Sequence, residues 1–534
     1  MTRPLNLLLL PVLFMPLLAS GAAWHVDDSV AESGDGTSWE TAFKTIQEGI
    51  DAASAGDTVV VAEGTYLENI NFNGKNIVLT STDPLDPDVV GNTIIDGAQI
   101  GPVVIFQGTE DETCRLSGFT IQGGFADEGA GICGGGLYLH NNALIAYNIF
   151  RDNRALERGG GVAFCDGRLW LNTLSGNFTD GQGGAAYGCN GELVGNFISE
   201  NCAQEGGGLA NCQATITRNI LSDNKASQRY GGLYLCDPTI SDNQITGSIG
   251  GALAHCDGSI VRNTISLTDS QAVLEDCNGL IEGNRITGNH GTALYDCDGT
   301  IRNNLISHNG GKSGGGLGYC DGLILNNTII ENWSGAGGGL SSCLGVILNC
   351  TIWGNRAYYD GTAQLFFSSE PTYSCIQDWG GGEGNISEDP KFVDPDGPDD
   401  NPETWEDNDY RLRGDSPCID VGFNSLDLPE FDIAGMPRIM YGGRSLTVDI
   451  GAYEFFYSGV QTGPGPHDAT LVWSFVPDKT YSIFYTDDLL NWHIAIDNFP
   501  SLGNHTTSWT DDGSLTGIPP LLAPRRFYRL LENP

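Results

Sequence analysis

The chain has 534 residues, 67 acidic against 25 basic side chains, and a formal net charge of −42. So acidic a surface argues against nucleic acid and anionic membranes as partners and suits cation-rich surroundings, bound calcium or solubility alone. Glycine is frequent, at 75 residues, and the 15 cysteines raise the question of a disulfide framework.

In chain order, residues 1–23 have the form of a secretory signal. Arg3 is followed by an apolar core over 5–18 and by small residues at 19–23. The core is short for a membrane span and carries Pro11 and Pro16. No other apolar run is long enough, so the mature chain is expected to be soluble, exported and secreted or held at a cell surface. Residues 40–54 hold the one clear helical pattern, Phe43, Ile46, Ile50 and Ala53. A short capping helix there would cover the first open strand edge. From 58 to 124 short apolar runs mark irregular strands.

Residues 159–355 repeat one pattern nine times. Cys165, Cys189, Cys212, Cys236, Cys256, Cys277, Cys297, Cys320 and Cys343 each stand three residues after a small or apolar position. Seven residues after each comes Asn, from Asn172 to Asn327, with Cys350 replacing it in the last copy; nine after comes Leu or Ile. Cysteine spacing runs 24, 23, 24, 20, 21, 20, 23 and 23. Each unit holds short apolar runs separated by Gly, Asn and Asp, which are strands and turns rather than helices. The expected fold is all-β: a right-handed parallel β-helix with three strands per coil and a short N-terminal capping helix, followed by a small C-terminal β-sandwich. One coil cannot bury its own apolar side, and stacking does so. The Leu, Ile and Cys columns should point inward, and the Asn column should bond coil to coil. Same-column cysteines point in parallel, a poor geometry for disulfides, so they read as small buried hydrophobes rather than as a metal-binding line of thiolates. Cys375 and Cys418, outside that column, are the candidate bridge.

This pattern resembles the right-handed β-helix superfamily that contains pectate lyases. Trp24-His25-Val26-Asp27-Asp28 and the stretches 36–47 and 55–66 are similar to its N-terminal entry coil. The resemblance implies the fold but not an activity. Its lyases pair calcium-binding carboxylates with a basic residue that takes a proton, and its sequence signatures for that chemistry are missing here. Further on, 414–422, 432–438 and Asp449-Ile450-Gly451-Ala452-Tyr453-Glu454 resemble a choice-of-anchor Q domain. The domains are therefore read as 1–23 signal, 24–380 β-helix, 381–458 closing region, 459–467 linker and 468–534 sandwich module. Trp473, Tyr485, Trp492 and Trp509 of that module are either core or sugar-stacking residues.

Three stretches are candidate sites. The coils starting at Cys236, Cys256 and Cys277 have shortened loops (248–250, 268–271 and 289–292), which should leave a saddle. His255, Glu275, Asp276, Tyr295 and Asp296 border it, as candidate substrate-binding residues with room for calcium and a polyuronate. Arg262, Arg285 and Arg302 lie on the same coils; if all three face elsewhere, the lyase arrangement has no base. A second column, Asp166, Asn190, Asp237, Asp257, Asn278, Asp298 and Asp321, reads as turn residues capping their own backbone. Residues 383–409 carry eleven acids, and Asp394, Asp396, Asp399 and Asp400 around a glycine are candidate calcium ligands. The functional reading is a secreted β-helix protein that binds polysaccharide or serves as an extracellular scaffold without catalysis. The alternative is a calcium-dependent lyase acting on acidic polysaccharide.

Overall fold

The computed structural model describes residues 21–533, apart from 129–131, 134–140, 360–362, 402–403, 463–467, 475, 477–478, 488–490, 502–505, 518–519 and 521–525. Residues 1–20, most of the stretch over 1–23 expected to be a signal, lie outside the described residues. The chain divides into two compact units, Met1–Thr215 and Ile216–Pro534. That division falls inside the repeat rather than at residue 380. Coils of a solenoid touch only their neighbours, while 381–458 packs onto coils of the second unit and is held with them.

The first unit is a parallel β-solenoid. Ala23–Val26, Thr58–Val61, Val78–Ser81, Arg115–Ser117, Leu144–Ala146, Arg168–Trp170 and Glu192–Val194 pair in that order, all parallel and in register. A helix spans Ile46–Ala52, shorter than the 40–54 expected. Thr45 sets its start: its hydroxyl accepts from the Glu48 backbone N–H while the Glu48 carboxylate accepts from Thr45 N, a reciprocal cap that stops the helix extending upstream. Ile46, Gly49 and Ile50 are its buried face. Gly49 leaves room for Val26 and Val59, whose methyls would lie 2.9 and 2.8 Å from a Cβ there.

The second unit repeats the device. Thr239–Ser241, Ser259–Val261, Leu280–Glu282, Thr300–Arg302, Leu323–Leu325 and Val346–Leu348 form one parallel sheet. Gln244–Thr246, Thr264–Ser266, Arg285–Thr287, Leu305–Ser307, Thr328–Ile330, Thr351–Trp353 and Cys375–Ile376 form a second. Leu233–Tyr234, Leu253–Ala254, Asp269–Glu275, His290–Tyr295, Leu317–Gly318, Leu340–Ser341 and Leu365–Phe366 form a third. In the three-residue strands the central Ile is buried against its copy on the next coil, as with Ile245, Ile265, Ile286, Ile306, Ile329 and Ile352.

The Asn column does what its position predicts. Asn243, Asn263, Asn284, Asn304 and Asn327 are buried, and the Nδ2 of each of the first four donates to the Oδ1 of the next, at 3.0 to 3.1 Å. The same Nδ2 also donates to a strand carbonyl behind it, Asn304 to Ile281 at 2.9 Å. Asn289, Asn309, Asn332 and Asn355 make a parallel ladder. Each bond is worth about 1 kcal/mol net, but an unpaired buried amide costs more than that, so the ladder is all or nothing. Cys350, where the first ladder ends, gives its thiol to the Ile324 carbonyl at 3.6 Å, the acceptor an Asn would have used.

The cysteine column is buried and free of disulfides. Its thiols are more than filler: Cys256, Cys277, Cys297, Cys320 and Cys343 each donate to the carbonyl two residues earlier, at 3.3 to 3.6 Å. Cys375 and Cys418 are free as well, which corrects the expected bridge. Both belong to one apolar cluster with Leu412, Ile419 and Ile450, and the hydrogen bond to Cys418 holds the Cys375 thiol far above its ordinary pKa.

Residues 381–458 run along the flank of the second unit. Asn326 Nδ2 donates to the Asp449 and Gly451 carbonyls, Ala452 N to Thr328 Oγ1, and Asn349 Nδ2 to the Phe423 carbonyl. Tyr410, Ala452 and Tyr453 pack with Leu305 and Ile330. Beyond them, Ser458–Thr462, Ala469–Ser474 and Thr506–Asp511 form one antiparallel sheet, and His493–Pro500, Thr480–Thr486 and Phe527–Glu532 another. Leu471, Trp473, Tyr481, Ile483 and Trp509 make their shared core. The stretch read as a linker from 459 thus begins as a strand, because its Gly-Pro residues start only at 463.

Candidate functional site

The shortened coils change the third sheet of the second unit. At the shortened loops over 268–271 and 289–292, Asp269–Glu275 and His290–Tyr295 run as single strands of 7 and 6 residues, while Leu253–Ala254, after the shortened loop over 248–250, and Leu317–Gly318 have 2. The strands share a register, Ala254 opposite Glu275, Glu275 opposite Tyr295, and Tyr295 opposite Gly318. Each then ends in a residue of left-handed backbone: His255 (φ 50°), Asp276 (52°), Asp296 (55°) and Tyr319 (56°). The left-handed turn costs about 1–2 kcal/mol in a non-glycine residue. The buried cysteine that follows helps hold it by bonding the strand's last carbonyl.

All five residues expected at the saddle therefore come together, with His255, Asp276 and Asp296 stacked at one corner and Glu275 and Tyr295 on the strand beside it. His255 Nδ1 lies 2.6 Å from Asp276 Oδ2, and both side chains are part-exposed. Asn278 Nδ2 donates to Asp276 Oδ1 at 2.7 Å, fixing the carboxylate from its other side. Burial, then the neighbouring charges of Asp298 and Asp276, push the Asp296 carboxyl above its ordinary value. Burial likewise raises the Tyr295 phenol.

Three aromatic residues complete the surface. The Tyr319 ring lies 5.3 Å from Tyr295, and Tyr234 and Tyr230 contact His255 edge-on at 5.7 and 6.0 Å. Sequence reasoning missed them, although Tyr319 and Tyr234 occupy the repeat positions one and two before the cysteine. The corner thus offers ring faces, carboxylate acceptors and an oriented imidazole, one corner residue per coil.

The three arginines stand elsewhere. Arg262 pairs with Asp242 at 2.8 Å, Arg302 with Glu282 at 2.8 Å, and Arg285 donates to the Tyr453 hydroxyl at 3.0 Å. They sit on or beside the other two sheets, so the lyase arrangement drawn from the sequence lacks its base. The second acidic column is also corrected. Its side chains cap the next coil rather than their own backbone: Asp257 Oδ1 accepts from Asn278 N, Asn278 Oδ1 from Asp298 N, Asp298 Oδ1 from Asp321 N and Asp321 Oδ1 from Leu344 N, at 2.7 to 2.8 Å.

In the acidic loop, Asp394 faces Asp409 across a short antiparallel pair. The Asp399 carboxylate accepts from Asn401 N and the Thr404 hydroxyl, and Asp396 and Asp400 are exposed. Among the described residues no three His, Cys, Asp or Glu side chains meet as a metal-holding group. Of the aromatics considered for sugar stacking in the C-terminal module, Trp473 and Trp509 are core residues. Tyr485 lies under the Arg526 guanidinium at 4.9 Å, and Trp492 is exposed.

The family described as "Right handed beta helix region" matches residues 270–374. No curated protein matches. Solved structures similar to the chain include two with carbohydrate-related names. One is the pectate lyase Pel9A, at 13% identity and a TM-score of 0.25, covering 81% of this chain and 96% of that one. The other is XylC in complex with xylose, at 10% identity and a TM-score of 0.28, covering 95% and 100%. The family match includes the coils that carry Asp276, Tyr295, Asp296 and Tyr319, and that stretch is a parallel β-helix similar to those of the family.

Proposed function

We propose that this chain is an exported β-helix protein that binds a polysaccharide along the corner column of its second unit and does not cleave it. One observation carries the reading: His255, Asp276, Asp296 and Tyr319 recur one per coil, outward and in register. A surface that repeats every coil suits a ligand that repeats, and parallel coils rise by about 4.8 Å. The polymer is neutral rather than acidic. Burial, with the charges of Asp298, Asp276 and Glu275, already raises the Asp296 carboxyl, and a polyanion would add to that crowding of negative charge. Ring faces at Tyr295 and Tyr319 suit the apolar face of a pyranose, and the carboxylates suit its hydroxyls.

Three further elements belong to this reading. Successive strands fall into three different sheets, which supports three strands per coil. Helix Ile46–Ala52, packed against the first strands, would close their open edge. The leader over 1–23 would export the chain. Affinity electrophoresis in gels cast with xylan, β-glucan, mannan, pectate or alginate tests the reading. Retardation by at least one neutral polymer, lost in His255→Ala/Tyr319→Ala, is expected. Retardation by pectate or alginate alone would refute the neutral ligand, and mobility unchanged by all five would refute binding.

A further inference from the structure

A separate two-stranded sheet on the same coils carries a second exposed feature. Trp333 opens the short strand Trp333–Ser334, which pairs with Arg356–Ala357, and it bridges to Gly310 on the coil before. The indole lies down over that glycine: a Cβ at Gly310 would sit 2.1 Å from indole Cε2 and Nε1 and 2.4 Å from Cζ2. Backbone conformation does not demand glycine here, since Gly310 is absent from the positive-φ residues. Room for the ring does. One indole face is thus pressed against backbone, and the residue is still 55% exposed.

The same contact occurs once more in this unit, to a different end. Trp405 lies over Gly288, whose Cβ would sit 2.1 Å from the ring, and it also meets His308 at 6.3 Å. There the indole is half-buried, and it docks residues of the 381–458 flank onto a coil. Trp333 is a platform of the same construction, supplied by the coil itself and facing solvent. Its neighbours along the ladder carry hydrogen-bonding groups. His290, exposed, precedes Gly310 by one coil, and Arg356 follows Trp333 by one, paired with Glu331 at 3.3 Å and still 70% exposed. Tyr358, 85% exposed, extends the aromatic surface on the coil of Arg356.

We infer that Trp333 is a second carbohydrate subsite, its indole stacking on the apolar face of one pyranose ring while His290 and Arg356 bond the hydroxyls at the ring's edges. This rests on the polysaccharide reading above and names a separate contact for the same class of ligand, a neutral sugar chain. A pyranose has one apolar face and a rim of hydroxyls, which matches a flat ring with polar groups above and below. The charge of −42 disfavours a polyanion as occupant.

Two variants test it in the full chain. Trp333→Ala removes the platform; Gly310→Ala keeps the indole but lifts it off its seat. Xylohexaose, cellohexaose and mannohexaose are titrated by calorimetry, and 5-fluorotryptophan labelling follows the Trp333 resonance by 19F NMR, identified by its loss in Trp333→Ala. For the hexaose that binds, both variants should weaken the dissociation constant by about three- to tenfold, the range of one aromatic stacking contact, and the Trp333 resonance should shift on binding. Binding with that resonance unmoved and both variants at wild-type affinity would overturn the Trp333 subsite while leaving the corner column standing. No binding by any hexaose or by the gel-cast polymers would overturn both.

Discussion

The coils of the second unit and the flank over 381–458 solve the same problem by opposite means. Along the coils, a buried polar group meets a copy of itself: Asn304 bonds Asn284 and Asn327, and nothing unlike them is needed. In the flank, Arg438 and Glu454 form an ion pair with both side chains about 1% exposed. Asp449 and Asp432 are buried beside them, with backbone N–H donors at Asp420, Phe455, Ala434 and Met436. Repetition satisfies polar groups without burying net charge. The flank, whose contacts with the coils do not repeat, relies on a particular set of charges, with three buried carboxylates around one guanidinium. The solenoid should therefore depend on pH less than the flank does.

The largest effect expected is from Arg438→Met. It strands Glu454 and its neighbours and should cost about 3–5 kcal/mol, the range for breaking a buried pair, read as a loss of the flank's cooperative transition in chemical denaturation. Asn304→Ala should cost less, about 2–3 kcal/mol, for the carbonyl of Ile281 and the amides of Asn284 and Asn327 left without their partner. If Asn304→Ala proved the more damaging, the contrast between the two regions would be inverted.

A smaller effect is the dependence on pH. Burial pushes the Asp449 carboxyl from 3.8 up to about 7 and raises Glu454 well above its ordinary value. A raised carboxyl favours the folded state while protonated. Its contribution is fully present below its unfolded value and is lost as pH rises through the folded one. Melting temperature should therefore fall as pH climbs from about 4 to about 8, and Glu454→Gln, by removing one of the crowded acids, should flatten that slope. Equal slopes in both proteins would remove the carboxylate cluster as its cause.

How much of this was legible in the sequence follows from the range of the contacts. The Asn and Cys columns were readable because each residue's partner is its own copy 20 to 24 residues away, so spacing alone gives the neighbour. The corner residues His255, Asp276 and Asp296 were readable by the same frame. Tyr319 was overlooked because its coil has a loop of ordinary length. The Asx column was placed correctly but bonded wrongly, since a turn residue can cap its own backbone or the next coil, and only stacking decides. The flank was out of reach: Tyr453 meets Arg285 across 168 residues, and no periodicity leads there. Cys375 and Cys418 were rightly placed near one another, but their surroundings are apolar and the thiols remain free.

The most direct test of the central claim is the dependence of affinity on ligand length. Calorimetric titration with neutral oligosaccharides from two to eight sugars should show affinity rising with each added residue, until the chain spans the coils from His255 to Tyr319, and then levelling. His255→Ala/Tyr319→Ala should shift that curve to weaker binding. An affinity already complete at two sugars, or a length dependence untouched by the double variant, would contradict binding along the column.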